Sequence, residues 1–168
     1  GIMLVADEVQ SGFCRTGRMF ASEYWKEAGV EPDIIATAKS IAAGVPLSAI
    51  IAREEIMEAP AKGTIGGTFC GNALACAAAL KTIEIMERDN LAGRSLEIGK
   101  TVTDRYKEWQ KKYPVIGDIR GLGGMIGLEL VKDQATKEPA PKLTADLIQE
   151  CAKNGLIIEN ALSLKEVP

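Results

Sequence analysis

Three short apolar runs, Ile2 to Ala6, Asp33 to Thr37 and Leu47 to Ala52, set the terms for the first third of this chain. Each is too short for a free-standing helix and is bounded by Gly, Pro or Asp, so each reads as a strand. Between the first two lie a glycine-bearing stretch, Ser11 to Gly17, and a short helix over Ala21 to Ala28, closed by Gly29 and Pro32. Glycine just past a helix takes the left-handed conformation that ends it, and proline cannot continue it. Strands alternating with helices predict an α/β fold on a mostly parallel sheet. The run Ile2 to Ala6 does not alternate, which implies a strand buried on both faces. Nothing precedes it to pair with, so the chain is expected to be a piece of something longer.

A second glycine-rich loop, Gly63 to Gly71, leads into a helix from Asn72 to about Arg88, with Ala, Leu and Ile at spacings of three and four. From Leu91 long charged side chains carry Leu96, Val102, Tyr106 and Trp109, the pattern of an amphipathic surface helix ending before Pro114. A domain boundary is placed at about residue 90, dividing 1–90 from 91–168. In the second part Ile116 to Arg120 and Met125 to Val131 read as a hairpin joined through Gly121, Gly123 and Gly124. Lys132 to Lys142 reads as a loop, Leu143 to Asn154 as a helix stopped by Gly155, and Leu156 to Ile158 as the start of a strand. Residues after Glu159 carry little pattern.

Composition removes whole classes of chemistry. The net charge of −3 supplies no basic surface for nucleic acid or an anionic membrane. Ile34 to Ala52 holds a single charge, Lys39, and approaches the length of a membrane span, but Gly44 and Pro46 interrupt it. Two strands with a loop between them is the better reading. The histidine count is zero, which excludes Ser-His-Asp and Cys-His hydrolases and His-ligated zinc. Four cysteines without a C-x-x-C pair suggest neither zinc ribbon nor redox dithiol, and fit reduced thiols in the cytoplasm. No metal site is expected. Catalysis must run on Lys, Asp, Glu or Cys.

Lys39 stands alone between apolar strands in Ala-Thr-Ala-Lys-Ser-Ile-Ala-Ala-Gly. Partial desolvation there would favour the neutral, nucleophilic amine; the competing reading is a lysine at a strand end whose ammonium reaches water. Asp7 follows the first strand, at the C-terminal edge of the sheet where open α/β folds bind ligands. It either caps the following loop or, with Glu8 and Gln10 beside it, pairs with a protonated heterocycle. Together Asp7 and Lys39 are the two partners a pyridoxal phosphate site requires, the pyridinium counterion and the Schiff-base amine. The loop Gly63 to Asn72 offers backbone amides and the Thr68 hydroxyl, a cradle for a phosphate, although glycine-rich loops before helices are common.

The runs Leu4-Val-Ala-Asp-Glu-Val-Gln-Ser-Gly-Phe-Cys-Arg-Thr-Gly17, Pro32-Asp-Ile-Ile-Ala-Thr-Ala-Lys-Ser-Ile-Ala-Ala-Gly-Val-Pro-Leu-Ser-Ala49 and Gly66-Gly-Thr-Phe-Cys-Gly-Asn72 resemble the class III pyridoxal-phosphate aminotransferases of fold type I. Ile56-Met-Glu-Ala-Pro60 and Asp118-Ile-Arg-Gly-Leu-Gly123 point toward their bacterial 4-aminobutyrate branch. The resemblance implies the C-terminal half of the large domain, a mostly parallel sheet with helices, plus part of the small α+β domain. It implies pyridoxal 5'-phosphate as cofactor, with small-molecule amine and 2-oxo acid substrates. By resemblance Asp7 pairs with the ring nitrogen, Val9 packs on a ring face, Gln10 bonds the phenolic oxygen and Lys39 is the Schiff-base lysine. Thr68 reaches the phosphate held by the neighbouring subunit of a homodimer. Cys14, Cys70 and Cys76 receive no catalytic part, and Arg120 reads mainly as structural.

The chain departs from the family pattern at Asn72-Ala73, where the family has Asn-Pro, and at Ala43-Gly44, where it has Gly-Gly. Glu159 to Pro168 departs further, because it lacks the arginine that clamps the substrate carboxylate. The family's N-terminal half, with its main phosphate-binding turn and stacking aromatic, is not in this sequence. The chain alone is therefore expected neither to hold the cofactor tightly nor to turn over substrate. Another class III enzyme, acting on ornithine, acetylornithine or a diamine, a non-catalytic association fragment, and a decayed enzyme are the alternatives.

Overall fold

Residues 1–160 are described by a computed structural model. They divide into two units, Gly1–Val102 with Gly121–Ile126, and Thr103–Arg120 with the chain from Gly127 onward.

In the first unit β1 (Val5–Asp7) and β2 (Ile34–Thr37) pair in parallel, with Val5 opposite Ile34 and Asp7 opposite Ala36. Strand β3 (Ala49–Ala52) pairs antiparallel with β2, so the order is β1-β2-β3 and the sheet is mixed. The segment from Ile34 to Ala52 is thus two strands and a turn, and among the described residues no helix is long and apolar enough to cross a membrane. Strand β1 differs from the sequence reading: it begins at Val5 instead of Ile2, it ends on Asp7, and it is not buried on both faces, since Val5 is 54% exposed and only Ala6 is buried. Ala21–Ala28 coils as a 3₁₀ helix. Gly29 closes that helix at φ +70°, as its position past the last helical residue predicts. A second 3₁₀ turn, Lys39–Ala42, follows β2 directly.

Helix α1 (Glu54–Met57) is a single turn; α2 (Ala73–Arg88) is the long helix the Ala-Leu-Ile spacing predicts. The Asn72 side chain accepts from the Ala75 amide at 3.1 Å, capping α2 without the proline the family carries. The core of this unit gathers Phe13, Cys14, Ile41, Ala42, Ala79 and Met86. Burial pushes the Cys14 thiol above its usual range, which makes it an inert packing residue.

Helix α3 (Leu91–Gln110) covers the apolar stripe read from its sequence only in part, with Val102 and Tyr106 half-buried. Leu96 and Trp109 are exposed, and the buried positions are Ser95 and Gly99, one turn apart. These small residues admit close backbone approach: a Cβ on Gly99 would overlap the Gly123 carbonyl. Ser95 Oγ donates to the Arg15 carbonyl at 2.6 Å and accepts from the Gly124 amide at 2.8 Å. Gly99→Ala is expected to lower stability by about 2 kcal/mol, since backbone cannot yield as a flexible side chain does. An unchanged urea midpoint would show that the helix can retreat freely.

Strands β4 (Ile116–Leu122) and β5 (Met125–Asp133) are neighbours joined by Gly123 and Gly124, as the glycines predict. In the second unit Ile116, Leu130 and Ala140 form a small core, and Gly117 leaves room for the Val131 side chain. The loop expected from Lys132 to Lys142 is shorter. Strand β5 runs to Asp133, β6 (Glu138–Pro139) pairs back onto it, and α4 (Pro141–Lys153) starts two residues earlier than read. Proline stands at the first turn of α4, where its missing N–H costs nothing. Leu156 to Ile158 is not a strand: Leu156 and Ile157 are exposed, and the Leu156 amide closes the helix end onto Cys151. Of the tail that departs from the family pattern, Glu159 to Pro168, positions 161–168 lie outside the described residues.

Candidate active site

Parallel pairing is what assembles the candidate site. Because β1 and β2 run the same way and in register, their C-terminal ends deliver Asp7 and, two residues past Thr37, Lys39 to the same sheet edge. The ladder continues one step past β1, with the Glu8 amide donating to the Ala36 carbonyl at 2.8 Å. The chain then turns, and the Gly12 amide closes onto the Glu8 carbonyl at 2.9 Å. Ser40 Oγ donates to the Gly12 carbonyl at 3.1 Å, tying this turn to the one that begins at Lys39.

Asp7 is exposed and accepts the Val9 amide on Oδ1 at 3.0 Å. Its second oxygen has no hydrogen-bond donor among the described residues. One Asp7 oxygen thus caps the loop, as the first of its two sequence readings expects. Val9 is half-buried in the turn. Lys39 Nζ donates to Gln10 Oε1, so amine and amide share the edge beside Asp7.

The flanking apolar strands do not desolvate Lys39, whose side chain is exposed. Sequence neighbours on both sides are not spatial neighbours, because the 3₁₀ turn swings the lysine out at the end of β2. Its φ of +46° lies in the left-handed region that a lysine seldom occupies. Such strain persists only where the surroundings hold it, and it concentrates at functional positions.

Thr68 is exposed in the turn between Gly67 and Cys70, whose amide donates to the Gly67 carbonyl at 3.0 Å. Among the described residues no hydrogen bond or ion pair joins Thr68 to Asp7, Gln10 or Lys39. Arg120 is engaged elsewhere, held at 2.8 Å by Asp118 and 2.5 Å by Glu129 across the β4–β5 pair. Those carboxylates also raise its guanidinium further above its usual range, so it stays a bound cation.

Sequence reasoning set Glu8 beside Asp7 at the ligand edge and missed that its side chain turns into the protein. It is 2% exposed, yet it is ionisable. Its carboxylate accepts from Ser11 Oγ at 2.6 Å and the Ala21 amide at 3.0 Å on one oxygen, and from the Ser22 amide at 2.6 Å on the other. The last two are orphan amides at the start of the Ala21–Ala28 helix, where a negative charge is favoured. Strand alternation holds the signal that could have found it: Ala6 and Glu8 share one face, and Ala6 is buried. Burial alone pushes this carboxyl up, but the bonds from Ser11, Ser22 and Ala21 outweigh it and hold the group below the ordinary value of 4.5. A carboxyl depressed in the folded state stabilises the protein above its unfolded value, and that stability drains as pH falls through the folded value. Glu8→Gln is expected to cost about 3 kcal/mol at pH 7 and to flatten the loss of stability as pH falls below 4.5. Urea unfolding across a pH series from neutral to well below 4.5 checks this; an unaltered acid limb would contradict it.

The chain matches the class III aminotransferase family over residues 1–165, beyond the Ile158 limit of the motif resemblance. It is 52% identical over 157 residues to the 4-aminobutyrate aminotransferase of Mycobacterium bovis, covering 94% of this chain and 35% of that protein. Against the 4-aminobutyrate aminotransferase of Escherichia coli it is 46% identical over 158 residues, covering 94% and 36%. An amine transaminase from an uncultivated Pseudomonas species, solved in its PLP-bound form, superposes with a TM-score of 0.84 at 36% identity, covering 95% of this chain and 38% of that one. The chain therefore spans little more than a third of the length of the relatives it matches. With a family match along nearly the whole sequence and relatives about half identical to it, this chain belongs to the class III aminotransferases.

Proposed function

We propose that this chain provides the cofactor-holding edge of an enzyme that moves the amino group of 4-aminobutyrate, or a similar ω-amino acid, to a 2-oxo acid such as 2-oxoglutarate. The observation that carries the reading is the convergence of Asp7, Gln10 and Lys39 at the C-terminal ends of β1 and β2. The residues fit pyridoxal 5'-phosphate, because Asp7 keeps one carboxylate oxygen without a donor beside an exposed amine and an amide. When bound, that cofactor supplies an aldehyde for capturing amines and a ring that withdraws an electron pair from the substrate carbon.

The chain's own residues do the rest. The available oxygen of Asp7 holds the proton on the ring nitrogen, which keeps the ring electron-poor. Gln10 contributes its amide at the phenolic oxygen, and Val9 packs against the ring. Lys39 Nζ would hold the aldehyde carbon until the incoming amine displaces it, and as the released free amine would take and return the proton at the substrate carbon. Thr68 serves the phosphate held by a second copy, which makes a homodimer the working unit. The free cysteines fit a cytoplasmic enzyme.

The substrate assignment is tested by comparing kcat/KM for 4-aminobutyrate, ornithine, acetylornithine and a diamine in a family-length protein containing this sequence. A preference of about tenfold or more for 4-aminobutyrate, some 1.4 kcal/mol in transition-state binding, is expected. A larger value for ornithine or a diamine refutes it. Pyridoxal phosphate titrated into the 168-residue chain alone is expected to give no tight stoichiometric complex, since Asp7 and Lys39 are exposed there. Stoichiometric binding at micromolar concentration would show that this edge suffices by itself.

A further inference from the structure

Glu8 is a buried ionisable group that no step above uses. Its three acceptor contacts all constrain one short turn: Ser11 lies within it, and Ala21 and Ser22 anchor it to the helix that follows. Its own backbone holds both ends of that turn, the amide on Ala36 and the carbonyl on Gly12. Val9 and Gln10 are the residues carried between those fixed points, and Gln10 Oε1 is the acceptor for Lys39 Nζ. The Gly12 carbonyl in turn receives Ser40 Oγ, next in sequence to Lys39.

We propose that Glu8 is a positioning residue for the reaction: its buried carboxylate fixes the Val9–Gln10 turn, and through it the Gln10 amide against the Lys39 amine. The inference rests on the cofactor assignment above. A carboxylate suits this task because it only accepts, and all three partners are donors; an amide would turn an N–H toward one of them. The carboxylate is ionised across the neutral range, so the clamp does not switch there.

The test is a double-mutant cycle of Glu8→Gln and Gln10→Ala in a family-length protein, read by the dissociation constant of pyridoxal phosphate from apo-protein and by kcat. Amide exchange at Ala21 and Ser22 in the apo-protein reports the clamp itself. Glu8→Gln is expected to speed exchange at both amides and to weaken cofactor binding roughly tenfold, about one charge-assisted hydrogen bond. In the Gln10→Ala background the same change is expected to weaken binding less than about twofold, because the group it positions is already gone. Full additivity of the two changes overturns the proposal and leaves a structural role only. Where Glu8→Gln does not fold, Ser11→Ala removes one clamp contact and enters the same cycle, with a smaller non-additive effect expected. Borohydride reduction of the unmutated holoenzyme separates the two failures. Cofactor fixed on Lys39 with an additive cycle sinks only the Glu8 role; cofactor fixed on any other lysine sinks both.

Discussion

Lys39→Ala in a family-length protein is expected to lower the transamination rate by about 10³-fold or more, while leaving the folded structure intact. The side chain is exposed and packs into neither core, so its removal opens no cavity. What is lost is the amine itself. Among the described residues no other lysine is hydrogen-bonded to Asp7, Val9 or Gln10, so no second amine stands ready to take its place. Lys39→Arg keeps the charge and the reach toward Gln10 but remains protonated at working pH, and is expected to be as inactive as the alanine variant. Activity within tenfold of the unmutated protein in either variant would remove Lys39 from the reaction. The backbone adds a check: φ of +46° at this position is set by the turn and not by the lysine side chain, so both variants should retain it.

Asp7→Asn is expected to weaken pyridoxal phosphate binding by about 10² and to depress kcat to a similar extent. The change preserves shape and an acceptor for the Val9 amide, so stability should move by less than about 1 kcal/mol. It removes the negative charge that would keep a ring nitrogen protonated, and that loss falls on the cofactor and the rate together. The two measurements separate the readings of this residue. A residue that only caps the loop would leave binding and kcat untouched as well, because asparagine keeps the acceptor for the Val9 amide.

Much of the architecture is legible in the residues because short-range physics decides it. The apolar runs at β1 and β2, the Ala-Leu-Ile spacing of α2 and the stop at Gly29 depend on local periodicity and on one left-handed glycine. The placing of Asp7 and Lys39 at one sheet edge is legible for a related reason: one ends an apolar strand and the other follows the next strand closely. Where the reading failed, distant partners decide. Only β2 makes β3 antiparallel, and only β5 recruits Glu138–Pro139 as a strand. Ser95 and Gly99 are buried in α3 because backbone from Gly123 and Gly124 approaches them, a fact no helical period contains. The exposure of Lys39 follows from a 3₁₀ turn that flanking hydrophobicity does not foretell. Glu8 was hidden for the opposite reason: a charged residue defaults to the surface, and three donors arriving from later in the chain reverse that default.

The central claim is that Lys39, beside Asp7 and Gln10, is the amine that carries the cofactor. Borohydride reduction of the holoenzyme, followed by proteolysis and mass spectrometry, reads that directly. The expected result is one reduced pyridoxal phosphate per chain, on the peptide that contains Lys39, and none in Lys39→Ala. A cofactor mass on any other lysine, or a reducible complex that survives Lys39→Ala, would contradict the account.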